Sequence, residues 1–166
     1  MMLHLAALLL AALLPQPELV DQSGRHFAFD SLRGTPLVVA FVAAHCTDAC
    51  PLVNAQFAQA ASELRARHAK VRMLTVTLDP EHDSPAAMRD LARRFDADPH
   101  SWIFASGSVA DVHRVMNAFG VSAQQGPHGY AETHSTFVYL LDARGRVRER
   151  LLASTALASG IVERER

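Results

Sequence analysis

Apolar residues along this chain alternate between two periods. Leu37 to Ala43 is a continuous apolar run, the pattern of a central strand buried on both faces. Val53, Phe57, Ala60, Ala61 and Leu64 then recur at helical spacing, with Gln59, Glu63 and Arg67 turned outward. Pro51 fits the first position of that helix. Val71 to Leu78 reads as the next strand and stops at Asp79-Pro80. Ser84-Pro85 opens a second helix with Met88, Leu91, Ala92 and Phe95 on one face. Trp102 to Ala105 is a short strand, and Ser108 caps a third helix that buries Val112, Val115, Met116 and Phe119 and ends at Gly120. A turn-rich stretch, 122–133, leads to a strong strand, Thr136 to Leu141. Ala143-Arg144-Gly145 then turns into Val147–Leu152, and a last helix closes the chain. Ahead of all this, residues 16–35 carry short alternating segments and turn signals, consistent with a β-hairpin.

Strands that alternate with helices imply an α/β domain over residues 16–166. Its central sheet should be mostly parallel, with an N-terminal β-hairpin and a C-terminal antiparallel hairpin. Ligands of open α/β sheets gather beyond the carboxyl ends of the strands. The loop after Ala43 lies at such an end, so chemistry is expected there.

Residues 1–15 stand apart. After Met1-Met2-Leu3-His4 an apolar run reaches Leu14 and ends at Pro15, and Leu3 to Leu14 spans 12 residues. That is short of the ~20 residues a membrane-spanning helix needs, but it suits the core of a signal peptide. Residues 1–15 are therefore expected to be a signal peptide or short membrane anchor, with a buried first helix as the competing reading. The protein is expected to be exported, either periplasmic or membrane-anchored and facing the periplasm.

The chain has 166 residues, 49% hydrophobic and 20% charged, as ordinary globular proteins do. Its 16 basic and 17 acidic side chains nearly cancel, and no basic stripe marks a helix. Nucleic acid therefore has no electrostatic footprint. Arginines 144, 146, 148 and 150 alternate along one short strand and read as a solvated face.

Cys46 and Cys50 are the whole cysteine complement, which excludes a four-thiolate zinc site and a disulfide framework. They sit in Ala44-His45-Cys46-Thr47-Asp48-Ala49-Cys50-Pro51, between a buried strand and a helix start. If both were near helical, their Cα atoms would lie ~6 Å apart, within disulfide reach. The same separation lets two thiolates chelate one metal, and the helix N-terminus favours the thiolate form. An inert structural pair is the bland alternative.

Three segments together resemble the SCO/SenC copper-chaperone family: Cys46-x-x-x-Cys50-Pro51, Leu78-Asp79-Pro80-Glu81-His82-Asp83-Ser84-Pro85 and His134-Ser135-Thr136-x-x-Tyr139-Leu-Leu-Asp142-x-x-Gly145. Asp21-Gln22-Ser23-Gly24 and Leu32-Arg33-Gly34 match in order as well, so the resemblance spans roughly residues 18–152. It implies a thioredoxin-like fold and copper held by Cys46, Cys50 and His134. It further implies delivery of copper to the dinuclear copper site of cytochrome c oxidase, or reduction of that site's thiols, with an oxidase subunit as recipient and a thiol reductant as second partner. The family usually has Asp before the histidine; here Thr133 follows Glu132.

The donor chemistry agrees with that expectation. Two soft thiolates select Cu(I), and an added imidazole accommodates Cu(II), with zinc the competing ion. His45 could supply a fourth donor, although a neighbour of a ligand more often points elsewhere. Asp79 could orient a ligand or simply start the turn at Pro80. His82, His100, His113 and His128 read as surface residues.

Two other functions use the same cysteines. A redox-active Cys46–Cys50 pair could make the domain a thiol–disulfide oxidoreductase, but the spacing is C-x-x-x-C and no proline precedes the strand at 133–136. A peroxiredoxin-like peroxidase would need proline at 39 and threonine at 43, where Val39 and Ala43 stand. A copper sensor or storage module remains a third reading.

Overall fold

All of Leu37–Val42 is buried, and a strand covered on both faces must lie inside a sheet with helices above and below. The computed structural model describes residues 16–46, 49–127, 129, 131–132, 137–152 and 161, with the backbone alone at 49–50 and 131–132. Its strands are β1 (Glu18–Asp21), β2 (His26–Ala28), β3 (Leu37–Val42), β4 (Arg72–Thr77), β5 (Trp102–Gly107), β6 (Gln124–Gln125), β7 (Ala131–Glu132), β8 (Phe137–Leu141) and β9 (Val147–Leu152). The helices α1 (Ala49–Ala66), α2 (Pro85–Arg94) and α3 (Val109–Ala118) connect them, and a 3-10 turn follows β2. Leu3–Leu14 and the segment carrying His134 lie outside the described residues. Of the expected closing helix only Ile161 is described, helical and buried. Among the described residues no helix is long and apolar enough to cross a membrane.

The seven-stranded sheet runs in the order β2-β1-β5-β4-β3-β8-β9. Its three inner strands are parallel, β3 to β4 and β4 to β5. The β1/β2 hairpin adds antiparallel to β5, and the β8/β9 hairpin adds antiparallel to β3. The parallel part is thus limited to the strands joined by α1 and α2, and the expected hairpins form both edges.

Alternation along β3 divides the core. Val38, Ala40 and Val42 pack with Phe57, Ala60, Leu64, Met88 and Leu91 of α1 and α2. Val39 and Phe41 pack on the other face with Val112, Val115 and Met116 of α3. The indole of Trp102 lies 5.7 Å from the Phe57 ring, and its N–H is satisfied by Thr75 Oγ1 at 2.9 Å. On the second face Phe41, Phe119 and Tyr139 meet edge to face, at 5.0–6.0 Å between centroids.

Several elements depart from the expected boundaries. α1 is helical from Ala49, so Pro51 is its third residue and Cys50 lies inside its first turn. Proline is tolerated there because first-turn N–H groups have no helical acceptor. β5 continues to Gly107 because β1 pairs with Ser106 and Gly107. The turn-rich stretch contains a small ribbon, β6 against β7. Just before β9 Arg146 pairs with Asp142, and on β9 Arg150 covers the Phe137 ring at 4.3 Å.

The first hairpin is held by polar contacts. Gln22 extends the β1–β5 ladder with its side chain, donating to Trp102 O at 3.0 Å and accepting from Phe104 N at 2.9 Å. Burial would push the Asp21 carboxyl up, but bonds from the Ser23 hydroxyl and from Ser23 and Arg25 amides outweigh it and hold the group below the ordinary value. A depressed folded value stabilises above the unfolded carboxylate pKa and is lost as pH falls through the folded one. Asp21→Asn should cost about 1–2 kcal/mol near neutral pH, and the difference from the native chain should shrink toward pH 2–3, as urea titrations across ~pH 2–7 would show.

Candidate metal centre

β3 carries the chain straight into the site. After Val42 the backbone turns over Ala43–Cys46, closed by Cys46 N–H donating to Ala43 O at 3.1 Å. The Cys46 side chain is half-buried and touches the apolar residues of both core layers. That is the place where a central strand ends and its two layers meet. Cys50 follows on the first turn of α1. Cys46 is not itself helical, so the pair straddles the loop–helix junction rather than sharing a helix face. Free amides and the positive end of the helix dipole face this junction and favour thiolates.

The side chain of Cys50 and all of His134 lie outside the described residues. Accordingly, among the described residues no three His, Cys, Asp or Glu side chains converge as a metal cluster. β8 is described from Phe137 onward and pairs antiparallel with β3, Ala40 opposite Val138, so the chain enters β8 at the carboxyl end of β3. The donor types available at that end, two thiols and a nearby imidazole in sequence, fit a soft or borderline ion.

A second loop braces the first. Leu78 N–H donates to Val42 O at 2.8 Å, extending the parallel β3–β4 pairing beyond the strands. Residues 79–83 then coil back, with His82 and Asp83 amides donating to Asp79 O. The Asp79 carboxylate is buried and bonds His82 Nδ1 at 2.8 Å. Asp79 is therefore a turn-former, and its carboxylate holds a histidine. Glu81 lines a groove of about 290 Å³ with Asp79, His113, Asn117 and Gln125. His100 and His113 are exposed as expected, and so is His82 despite its bond.

Sequence reasoning gave Asp83 no role beyond its place in the Leu78–Pro85 segment. Its side chain is 0% exposed, and Oδ2 accepts from Ala44 N at 2.8 Å and from Thr77 Oγ1 at 2.7 Å. His45 Nε2 lies 3.8 Å from Oδ1, so this imidazole, read as a possible fourth donor, faces a buried carboxylate. Burial pushes the Asp83 carboxyl above its ordinary range, against the pull of its two hydrogen bonds. In sequence the residue precedes the helix-capping Ser84 and looks like ordinary helix-start polarity. Only its depth marks it out.

The family model described as SCO1/SenC matches residues 10–163. The chain belongs to the SCO1/SenC family. A relative from Rickettsia conorii, a SCO2-like protein, is 28% identical over 135 residues, 78% of this chain and 64% of that one. The chain thus spans 64% of the length of this relative. The structure of Bradyrhizobium japonicum ScoI with copper bound superposes with a TM-score of 0.78 at 26% identity, covering 90% of this chain and 97% of ScoI. BsSco, described as a Sco-family cytochrome c oxidase assembly protein with a disulfide switch, superposes with a TM-score of 0.78 at 22% identity, covering 89% and 88%. The likeness of fold confirms the thioredoxin-like α/β architecture expected of a SCO1/SenC member.

The Asp79–His82 contact gives this loop a titration signature. The hydrogen bond to Asp79, aided by the surrounding carboxylates, raises the His82 imidazole above its ordinary value of 6.5. A raised folded value adds stability below the unfolded pKa and loses it as pH rises through the folded one. NMR titration should place the His82 midpoint above the ordinary histidine value of 6.5. Asp79→Asn should bring it back down.

Proposed function

We propose that this domain is a copper carrier that holds its cargo with Cys46, Cys50 and His134 and passes it to a recipient during assembly of the copper site of cytochrome c oxidase. The observation that carries the reading is the placement of Cys46 and Cys50 at one β3–α1 junction in a member of the SCO1/SenC family. Copper is bound in ScoI, and BsSco is described as an oxidase assembly protein, which supports the same cargo and the same destination here.

The chain's residues supply the means. The helix N-terminus stabilises thiolates, and two thiolates suffice for two-coordinate Cu(I). An imidazole adds the borderline nitrogen that Cu(II) prefers. His134 stands three residues before Phe137, where the chain enters β8 at the edge occupied by Cys46. A disulfide on a partner can oxidise the Cys46–Cys50 pair, taking up its two electrons and two protons to become two thiols; this removes both sulfur donors, so a thiol reductant that restores the pair is the second partner in this scheme. The disulfide switch described for BsSco favours a second reading, in which the same pair reduces a disulfide between cysteines of the partner and is itself oxidised. Residues 1–15 serve export or tether the domain, holding it on the periplasmic side.

Copper titration of three samples tests the donor set. Reduced protein should bind one copper and show a thiolate-to-Cu(II) charge-transfer band. Fully oxidised protein should bind far more weakly, because a disulfide offers no thiolate. His134→Ala should lose the Cu(II) band while keeping much of its Cu(I) affinity. An unchanged Cu(II) spectrum in folded His134→Ala removes it from the donor set, and equal binding after oxidation defeats the shared site. Fusing residues 1–15 to a phosphatase that is active only outside the cytoplasm tests export; an inactive fusion is the contrary result.

A further inference from the structure

Some carboxylates in the domain serve local needs, whereas Asp111 Oδ1 accepts from Glu18 N–H across 93 positions at 3.2 Å. Asp21 and Asp142 close turns, bonding groups two and four residues away. Asp83 reaches back 39 positions to the Ala44 amide. It does so from a site with 0% exposure, where a carboxylate is costly unless it is fully bonded. Among the described residues Oδ1 has no hydrogen-bond partner, and His45 Nε2 faces it at 3.8 Å. The backbone carbonyl of Asp83 is fixed independently by the Ser106 hydroxyl, and Thr77 Oγ1 holds the remaining face of Oδ2. The contacts to Ala44 N–H and His45 reach the turn that presents Cys46, and those from Thr77 and Ser106 fix Asp83 to β4 and β5. None is needed to cap α2, whose first turn is satisfied by Ser84.

We propose that Asp83 is a positioning residue for Cys46, an inference that rests on Cys46 and Cys50 forming the copper and thiol site. Its Oδ2 anchors Ala44 N–H while also accepting from Thr77 of β4, and the Cys46 N–H to Ala43 O bond closes the turn on the end of β3. Its Oδ1 draws the His45 imidazole toward the β3–β4 edge. Cys46 is thereby held at one place relative to Cys50 at the start of α1. Metal chelation and disulfide closure both require that, because each tolerates only a narrow sulfur–sulfur geometry.

The test compares four full-length proteins by two readouts. Asp83→Ala removes the anchor. Asp83→Asn keeps a carbonyl oxygen for Ala44 and Thr77, and so should restore the turn. Gln22→Ala breaks two buried hydrogen bonds of β5 far from the turn and controls for lost stability. The readouts are the Cu(II) charge-transfer band with copper affinity, and the ratio of dithiol to disulfide in glutathione buffer. Asp83→Ala should weaken copper binding about tenfold or more, with a shifted band, and move the thiol ratio about tenfold. Asp83→Asn and Gln22→Ala should leave both near the native values. Should Asp83→Ala fail to fold, Asp83→Ser, too short to reach Ala44, replaces it. If Gln22→Ala shifts both readouts as much as the Asp83 variant, or if the folded Asp83 variant shifts neither, the proposal is overturned. A native chain without any thiolate–copper band defeats the copper reading alone, and the thiol ratio then decides the role of Asp83.

Discussion

The constraint on which this domain turns is a carboxylate buried at the exit of its two central strands. β3 and β4 pair in parallel and leave the sheet side by side, so both following loops begin at the same edge. Loops there have lost their ladder partners, and their backbone groups must be satisfied by something else. Leu78 N–H continues the ladder by one bond to Val42 O, and beyond that point Asp83 takes over through Ala44 and Thr77. The loop after β3 is consequently shaped by the loop after β4.

That arrangement explains why Cys46 can be both half-buried and chemically available. The end of a central strand is the one position where the two helical layers converge, and Cys46 touches the apolar residues of each. Packing restricts the side chain from below, the turn restricts the backbone, and the start of α1 supplies the electrostatic field above. Membership of the SCO1/SenC family and likeness to copper-bound ScoI give this geometry its chemical context. Asp79 and Glu81 line the neighbouring edge, and His113, Asn117 and Gln125 extend it into an open groove.

Much of the fold was legible because its determinants are local. The continuous apolar run Leu37 to Ala43 announced a central strand, Ser84 and Ser108 announced two helix starts, and both caps are made by the hydroxyls expected to make them. Less legible were boundaries set by a partner. β5 runs to Gly107 because β1 lies against it, and nothing in Ser106-Gly107 itself favours a strand. The same is true of Gln22, whose side-chain amide stands in for backbone along β5.

Sequence alone determined the candidate chemistry: two cysteines four residues apart at a strand-to-helix junction, in a segment order that marks the SCO1/SenC family. Those signals survive without coordinates because spacing, hydrophobic period and donor type are properties of neighbouring residues. Tertiary structure alone decided which polar residues brace that chemistry. Asp83 and His45 are 38 residues apart in the chain and meet only because parallel pairing brings two loops to one edge. Burial of a carboxylate is a property of everything packed around it, and no single segment of sequence carries that information.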